Sequence, residues 1–556
     1  MNTRFKFIST SLVALSLLVG CSTKSLKFDA NPLQSDSKNI KKERLTEEER
    51  LSWSSADLIQ DTIPGMSVRR AYEEIIRDQE GQVVIVAVID SGIDHEHEDL
   101  SSVMWVNPNE TNNNQDDDGN GYVDDIHGWN FLGDIVEENM EFTRIVRDYE
   151  DAYGIPSKDH VPQDEEAYEF YKRAKAELDK KYGESVRSTQ YYKSLKKNLQ
   201  EGVEELKVAM QVDELTFENL SEFKPETSDL KSNRSFLMNV LSQSGGSIED
   251  VFEQLNEGIE YFEERVNSHF NKELRARTNK LGDDENDFSV TVYGNNQISG
   301  PDPEKKDAKH GTHVAGIIAA DRSNDVGIDG VAQNVQIMAI RAVPDGDEYD
   351  KDITMAFRYA VNNGAKVINT SFGKYFSTHP EKVEEAMKYA AENDVLIVNA
   401  AGNDSYDLDE VRVYPNDQTP ENETEFINNF LNVGSITSSY GRDMVSPFSN
   451  YGKKSVDIFA PGSDIYAPTP LNNYEYLQGT SMAAPAVAGV AALIRSYYPK
   501  LTAKQVKQII MDSGLTYDGD VIVGGNPSDL RPFAELSVSG RIANLYNALI
   551  LASKTK

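Results

Sequence analysis

The chain of 556 residues has one cysteine, Cys21, so no disulfide can form within it. No apolar run reaches the roughly 20 residues that a membrane-spanning helix needs. No His-Glu-x-x-His motif is present, which removes the commonest zinc-peptidase arrangement. Positive charge is scarce: 56 basic side chains stand against 92 acidic ones, for a formal net charge of -36. Such a chain repels nucleic-acid phosphates, which argues against a nucleic-acid partner. It equally repels an anionic membrane surface, so any membrane attachment needs a separate device. What is present is a globular composition, 39% hydrophobic and 27% charged, with length for two or three domains.

The separate device stands at the start. Arg4 and Lys6 precede the apolar run Leu12 to Val19, the pattern of a signal peptide over residues 1–20. The run ends in Leu18-Val19-Gly20-Cys21, which resembles a bacterial lipoprotein lipobox. That resemblance implies lipidation of Cys21 and a place in the cell envelope, on the outer membrane or cell surface, with the periplasmic side open. Residues 21–51 are polar and read as a tether.

From residue 52 the sequence turns globular. Val83 to Ile89 is a continuous run dominated by β-branched residues, as in a strand buried on both faces. Val335 to Ile340, Val367 to Asn369 and Val395 to Val398 repeat the theme. Helical patterns lie between, at Ile353 to Asn362 and Pro380 to Glu392, and Gly540 to Ala548 also reads as a helix. Alternating strands and helices indicate an α/β fold with a mainly parallel sheet and helices on both faces.

Three segments carry chemistry. Asp90 follows the first strand in Asp90-Ser91-Gly92-Ile93-Asp94-x-x-His97-x-Asp99-Leu100. His310 opens His310-Gly311-Thr312-His313-Val314-Ala315-Gly316. Ser481 lies in Gly479-Thr480-Ser481-Met482-Ala483-Ala484-Pro485, at the start of an apolar helix. Read singly, each has a plain alternative: a turn, two structural or weakly metal-binding histidines, and a helix N-cap. Together, in the order Asp, His, Ser, they resemble the subtilisin-like serine peptidases, the subtilases. The resemblance implies a three-layer fold, Ser481 as nucleophile, His310 as base and Asp90 as its orienter. It also implies that Asn403, in Val398-Asn399-Ala400-Ala401-Gly402-Asn403, donates to the oxyanion with the Ser481 N–H.

The resemblance further places Ser371, Phe372, Gly373, Ala400, Ala401 and Gly402 as walls of the S1 pocket. They carry no charge, which suggests apolar or aromatic residues before the cut. Residues 345–352 fall where subtilases bind the S2 to S4 part of a substrate. They are acidic, which leaves two readings: a preference for basic residues upstream, or a solvated loop. The implied partners are protein or peptide substrates, and a monomer is expected.

Asp116-Asp117-Asp118-Gly119-Asn120-Gly121-Tyr122-Val123-Asp124 spaces oxygens at alternate positions, like the first part of an EF-hand loop. Asp116, Asp118, Asn120 and Asp124 are expected to bind Ca²⁺ through side chains, and Tyr122 through its carbonyl. The twelfth position is His127, so Asp125, Asn107 or Glu110 must complete the shell.

Two features depart from the family. Asp90 and His310 lie 220 positions apart, where subtilases commonly have a few dozen. Residues 133–300 therefore read as a helical insertion between two parts of the peptidase domain, 52–132 and 301–550. At least three amphipathic helices are expected in it, one carrying Tyr191, Leu195, Leu199, Val203, Leu206 and Met210. Four readings are open to it: a lid, a substrate-selecting arm, a partner-docking surface or a peripheral embellishment. An inhibitory lid predicts more activity on small substrates when 140–295 are deleted. The stretch from Cys21 to the first strand is also short for the usual inhibitory propeptide, so either none is needed or the inserted helices restrain activity.

Overall fold

A computed structural model describes residues 26–34, 41, 43–154, 164–244, 247–418 and 424–556. Cys21 and the signal-peptide pattern lie outside the described residues. Among those described, no helix is long and apolar enough to cross a membrane.

The run Val83 to Ile89 becomes β1 (Val84–Asp90). The further strands are β2 (Gly128–Asn130), β3 (Val335–Arg341), β4 (Val367–Thr370), β5 (Leu396–Ala400), β6 (Phe430–Ile436) and β7 (Ile458–Pro461). They form a parallel array in the order β2-β3-β1-β4-β5-β6-β7. Next come hairpin strands β8 (Ile465–Thr469) and β9 (Asn473–Leu477), then β10 (Leu515–Thr516), the pair β11 (Asp520–Val523) and β12 (Asn526–Pro532), and β13 (Arg541–Ile542). β13 and antiparallel β10 extend the main sheet beyond β7.

The two-residue period of β1 sorts its side chains between two cores. Val84, Val86 and Val88 join one cluster, while Ala87 and Ile89 join the other. The chain before β1 holds α1 (Glu47–Ser52) and α2 (Val68–Ala71). The segment expected as a tether is attached in part. Leu26 is buried in the first core, and the Leu33 N–H donates to Asn547 Oδ1 at 2.7 Å.

Helices α3 (Glu141–Tyr153), α4 (Glu165–Met210), α5 (Phe217–Glu222), α6 (Ser228–Ser244) and α7 (Ile248–Glu264) occupy the region expected as a helical insertion. α4 has 46 residues, roughly 69 Å of helix. Its first part buries Tyr171, Ala174 and Leu178 against Phe142, Ile145 and Val146 of α3. Its last part buries Leu199, Val203 and Leu206 against α6 and α7. Tyr191, expected on the apolar stripe, is 63% exposed. Its neighbour Tyr192 is the one that meets α7, through the Phe262 ring at 5.7 Å between centroids.

α8 (Lys309–Ala319) packs in the first core; α9 (Asp350–Asn362) and α10 (Pro380–Glu392) pack in the second. α11 (Thr480–Tyr497) joins α8, and α12 (Ala503–Ser513) and α13 (Leu545–Lys554) close the chain. The expected helix over 540–548 is thus displaced. Residues 541–542 pair with the sheet, and the Asn544 side chain caps the helix that follows by accepting from the Asn547 N–H.

Candidate active site

β1 pairs with β3 on one side and β4 on the other, and ends at Asp90. The chain beyond β3 and the chain beyond β4 run on past that point. A slot about two strand spacings wide, roughly 10 Å, opens between them. It forms a cleft of about 590 Å³ lined by Asp90, His310, residues 343–348 and Ser371 to Gly373. One extended peptide fits such a slot.

Asp90 is 2% exposed at the carboxyl end of the sheet, where open α/β folds bind ligands. Its Oδ1 lies 2.7 Å from His310 Nδ1, and the imidazole is 39% exposed toward the cleft. Gly311 permits this approach: a Cβ there would lie 2.2 Å from the Gly92 carbonyl oxygen. Burial works against charging His310, but the Asp90 carboxylate outweighs it and raises the imidazole pKa above its ordinary value.

The other histidines of the motifs are structural. His313 Nε2 meets the Ile465 and Glu475 carbonyls at 3.0 and 3.1 Å, and burial pushes its pKa down to about 4. His97 accepts the Asp99 N–H and meets the Asn473 carbonyl. Both hold the β8–β9 hairpin beside the cleft.

Ser481 is the second residue of α11, where the helix dipole favours negative charge. Pro485 lies four residues on and has no N–H, so the Ser481 carbonyl lacks its intrahelical donor. Ser371 Oγ donates to it instead at 2.9 Å, and Ser481 Oγ donates to the Ser371 carbonyl at 3.2 Å. The nucleophile candidate therefore rests on the cleft wall. Asn403 Oδ1 accepts from Thr480 N–H at 2.9 Å, which leaves its amide N–H₂ free to face Ser481. A Cβ on Gly479, whose φ is +153°, would lie 3.5 Å from both Asn403 Nδ2 and Ser481 N. Asn403 Nδ2 and Ser481 N thus lie near one another at the start of α11.

Of the expected S1 walls, Ser371, Phe372 and Gly373 line the cleft. Ala400 and Ala401 are buried beneath, with the Ala401 carbonyl accepting from Asn450 Nδ2, and Gly402 N–H donates to Thr480 Oγ1. In the acidic loop 345–352, Asp345 is exposed and lines the cleft, whereas Asp347, Asp350 and Asp352 are buried and paired. Asp347 Oδ2 accepts the Glu141 N–H, Asp350 pairs with Lys374, and Asp352 holds Arg277 in a bidentate pair. Asp345 meets His269 at 3.2 Å.

Two cleft residues escaped the sequence reading. Arg341, opposite Asp90 in register, donates to the Ser91, Gly133 and Ile135 carbonyls, and burial pushes its pKa down to about 10. Glu264, at the end of α7, lines the cleft, and burial followed by the Asp345 charge pushes its pKa up to about 7. Arg341 merely closes a strand, and Glu264 reads as one more acid on an exposed face.

In the acidic loop, Glu110, Asp118 and Asp125 each offer an oxygen, all within 4.8 Å of one another. Asn107 and Asn120 turn their amide N–H groups into the same cluster. Asp116 instead accepts the N–H groups of Gly119, Asn120 and Gly121, and Asp124 those of Asn113 and Asn114. Burial, with Asp118 nearby, pushes the Asp125 pKa up to about 6. Three hard carboxylate oxygens, from Glu110, Asp118 and Asp125, two of these residues buried, fit a hard cation.

A parallel sheet thus carries a carboxylate and an imidazole at one cleft, with a helix-start serine bonded to the cleft wall at Ser371, the parts that a serine-nucleophile site needs. The family model of the Subtilase family, Peptidase_S8, matches residues 81–529, and the chain belongs to that family. A thermophilic serine proteinase of Bacillus sp. (strain AK1) is 41% identical over 188 residues, 34% of this chain and 42% of that protein. The cell wall-associated protease of Bacillus subtilis (strain 168) is 35% identical over 236 residues, 42% of this chain and 24% of that protein. A solved protease from Pseudoalteromonas arctica PAMC 21717 is 29% identical, covering 44% of this chain and 70% of that one, at a TM-score of 0.35. The chain spans less than half the length of the curated relatives it matches.

Proposed function

We propose that this chain is a serine endopeptidase that cuts proteins through an acyl-enzyme on Ser481, and that lipidated Cys21 holds it at a bacterial envelope membrane. The observation that carries the peptidase reading is the 2.7 Å Asp90–His310 pair in a strand-wide slot whose wall residue Ser371 is bonded to Ser481. Ser481 turns from the Ser371 carbonyl to His310, whose neutral Nε2 takes the hydroxyl proton as Oγ attacks the peptide carbonyl. Asp90 stabilises the imidazolium. Asn403 Nδ2 and Ser481 N–H receive the oxyanion, a donor pair of which each member is worth about 100- to 1000-fold in rate. His310 then protonates the leaving amine, and water releases the acyl group. The uncharged walls Ser371 to Gly373 favour apolar or aromatic residues before the cut. Covalent labelling by a serine-directed fluorophosphonate tests the reading, and unlabelled wild-type protein would favour a non-catalytic scaffold.

The lipid anchor rests on Leu18-Val19-Gly20-Cys21 and on Cys21 being the sole cysteine. Metabolic labelling with a radioactive fatty acid is expected to mark the protein and to vanish in Cys21→Ser. Equal label in both would remove the anchor.

Ca²⁺ is assigned to Glu110, Asp118 and Asp125, in place of the full alternate-position set read from the sequence. When bound it supplies charge neutralisation for carboxylates held close together. Chelation is expected to lower the melting temperature by several degrees in calorimetry, since about 1 kcal/mol moves a domain of this size by roughly 2–4 °C. An unchanged melting temperature would sink the structural cation.

A further inference from the structure

The two walls of the substrate slot are joined from behind by the first turn of the insertion. Arg144 is 3% exposed and donates to the Asn139 and Asp347 carbonyls at 2.8 and 2.9 Å and to the Glu348 carbonyl at 3.1 Å. Asp347 and Glu348 belong to the wall that continues β3. The guanidinium also lies 3.9 Å from the centre of the Tyr349 ring. Its remaining face pairs with Glu141 of the same helix, through Nε at 2.9 Å.

Glu141 carries the connection across. Its Oε2 lies 3.3 Å from Lys374 Nζ, and its Oε1 accepts from Thr378 Oγ1 at 2.7 Å. Lys374 directly follows Gly373, the end of the wall that continues β4. Lys374 Nζ also donates to the Glu348 carbonyl at 2.8 Å and pairs with Asp350 at 2.9 Å. Two cations and two carboxylates, each no more than 5% exposed, thus form one connected set between the walls. Burial opposes the charge on Lys374, but the Asp350 and Glu141 carboxylates outweigh it and raise its pKa.

Such a set is an inefficient way to gain stability. Desolvating four charges costs several kcal/mol each, and well-packed apolar residues often stabilise as well or better. What ionic groups add is direction: Arg144 holds three named carbonyls through directed N–H groups, which apolar packing cannot do. The geometry points to Glu141 and Arg144 as positioning residues that set the spacing of the two slot walls and so the fit of an extended peptide. The insertion is then part of the cleft wall and not a lid above it. The inference rests on the peptidase reading of the cleft.

The two readings separate in one set of measurements on the full chain. Arg144→Lys and Glu141→Gln are to be compared with wild type for fluorophosphonate labelling, for hydrolysis of a one-residue ester and for hydrolysis of a four-residue peptide amide series. Rates are normalised to the labelled fraction. Labelling and ester hydrolysis are expected to stay within about twofold. The gain in kcat/KM from lengthening the peptide is expected to fall on the order of 10- to 100-fold, mostly through KM, as misplaced binding groups do. A gain equal to that of wild type, with only the melting temperature lowered, would overturn the positioning role. If either variant fails to fold, Thr378→Val removes a single hydrogen bond to Glu141. It must then show a smaller loss of the same length-dependent kind, and an unchanged gain overturns the proposal. Absence of labelling in wild type would overturn the peptidase reading itself.

Discussion

Ser481→Ala is expected to lower kcat by roughly 10⁶-fold while leaving KM for a peptide substrate within a few-fold, the size of loss known for the nucleophile in subtilisin. The expectation follows from where the hydroxyl sits. Its backbone is held by Ser371 through the carbonyl that Pro485 leaves free, and by the Asn403–Thr480 bonds. Removing Oγ disturbs none of these, so the slot and the oxyanion donors persist. Residual turnover should then come from those donors alone. Adding His310→Ala to Ser481→Ala should cost nothing further, because a base without its nucleophile has no proton to take. Single-turnover kinetics on both variants check this. A further loss in the double variant would mean that His310 acts on another group.

Asp90→Asn is expected to cost about 10⁴-fold in kcat, with little change in fold. Asp90 Oδ1 accepts the Nδ1 proton of His310 at 2.7 Å and so keeps Nε2 free to act as base. An amide in that place can donate to Nδ1 and hold the proton on Nε2, the wrong tautomer for the reaction. The charge matters as well. The carboxylate raises the His310 pKa, and catalysis needs the imidazole neutral. Wild-type activity should therefore fail as pH drops through a value above about 6.5, the ordinary histidine figure. In Asp90→Asn that source of elevation is gone, so the acid limb of kcat/KM should move to lower pH. A limb that stays in place would show that Asp90 does not set the His310 titration.

The motifs made the centre of the site legible. Asp90, His310 and Ser481 stand out in the sequence at a strand end and two helix starts, while their roles and that of Asn403 come from the family resemblance their motifs carry. The buried run 83–89 likewise gave β1 within one residue. The cation loop was less legible. Counting oxygens cannot tell which ones face a cation and which accept nearby backbone N–H groups, and Asp116 and Asp124 do the latter. Glu141, Arg144 and Arg277 were invisible for a different reason. On a helical pattern a charged residue reads as solvent-facing, and only tertiary packing reveals that these three are buried against 345–352 and 374. Residues 26–34, read with the rest of 21–51 as a polar tether, are likewise fastened to the body by Leu26 and Leu33.

The division of α4 between two apolar clusters gives the molecule reach. Tyr171 is anchored at α3, and Leu206 lies about 50 Å further along the same helix. α5 and α6 therefore sit at the end of a stiff boom whose base is built into the catalytic body. α7, a helix of roughly 25 Å, leads back from that end to Glu264 at the cleft, so a fluorophore attached at α5 would sit at the far end of the insertion.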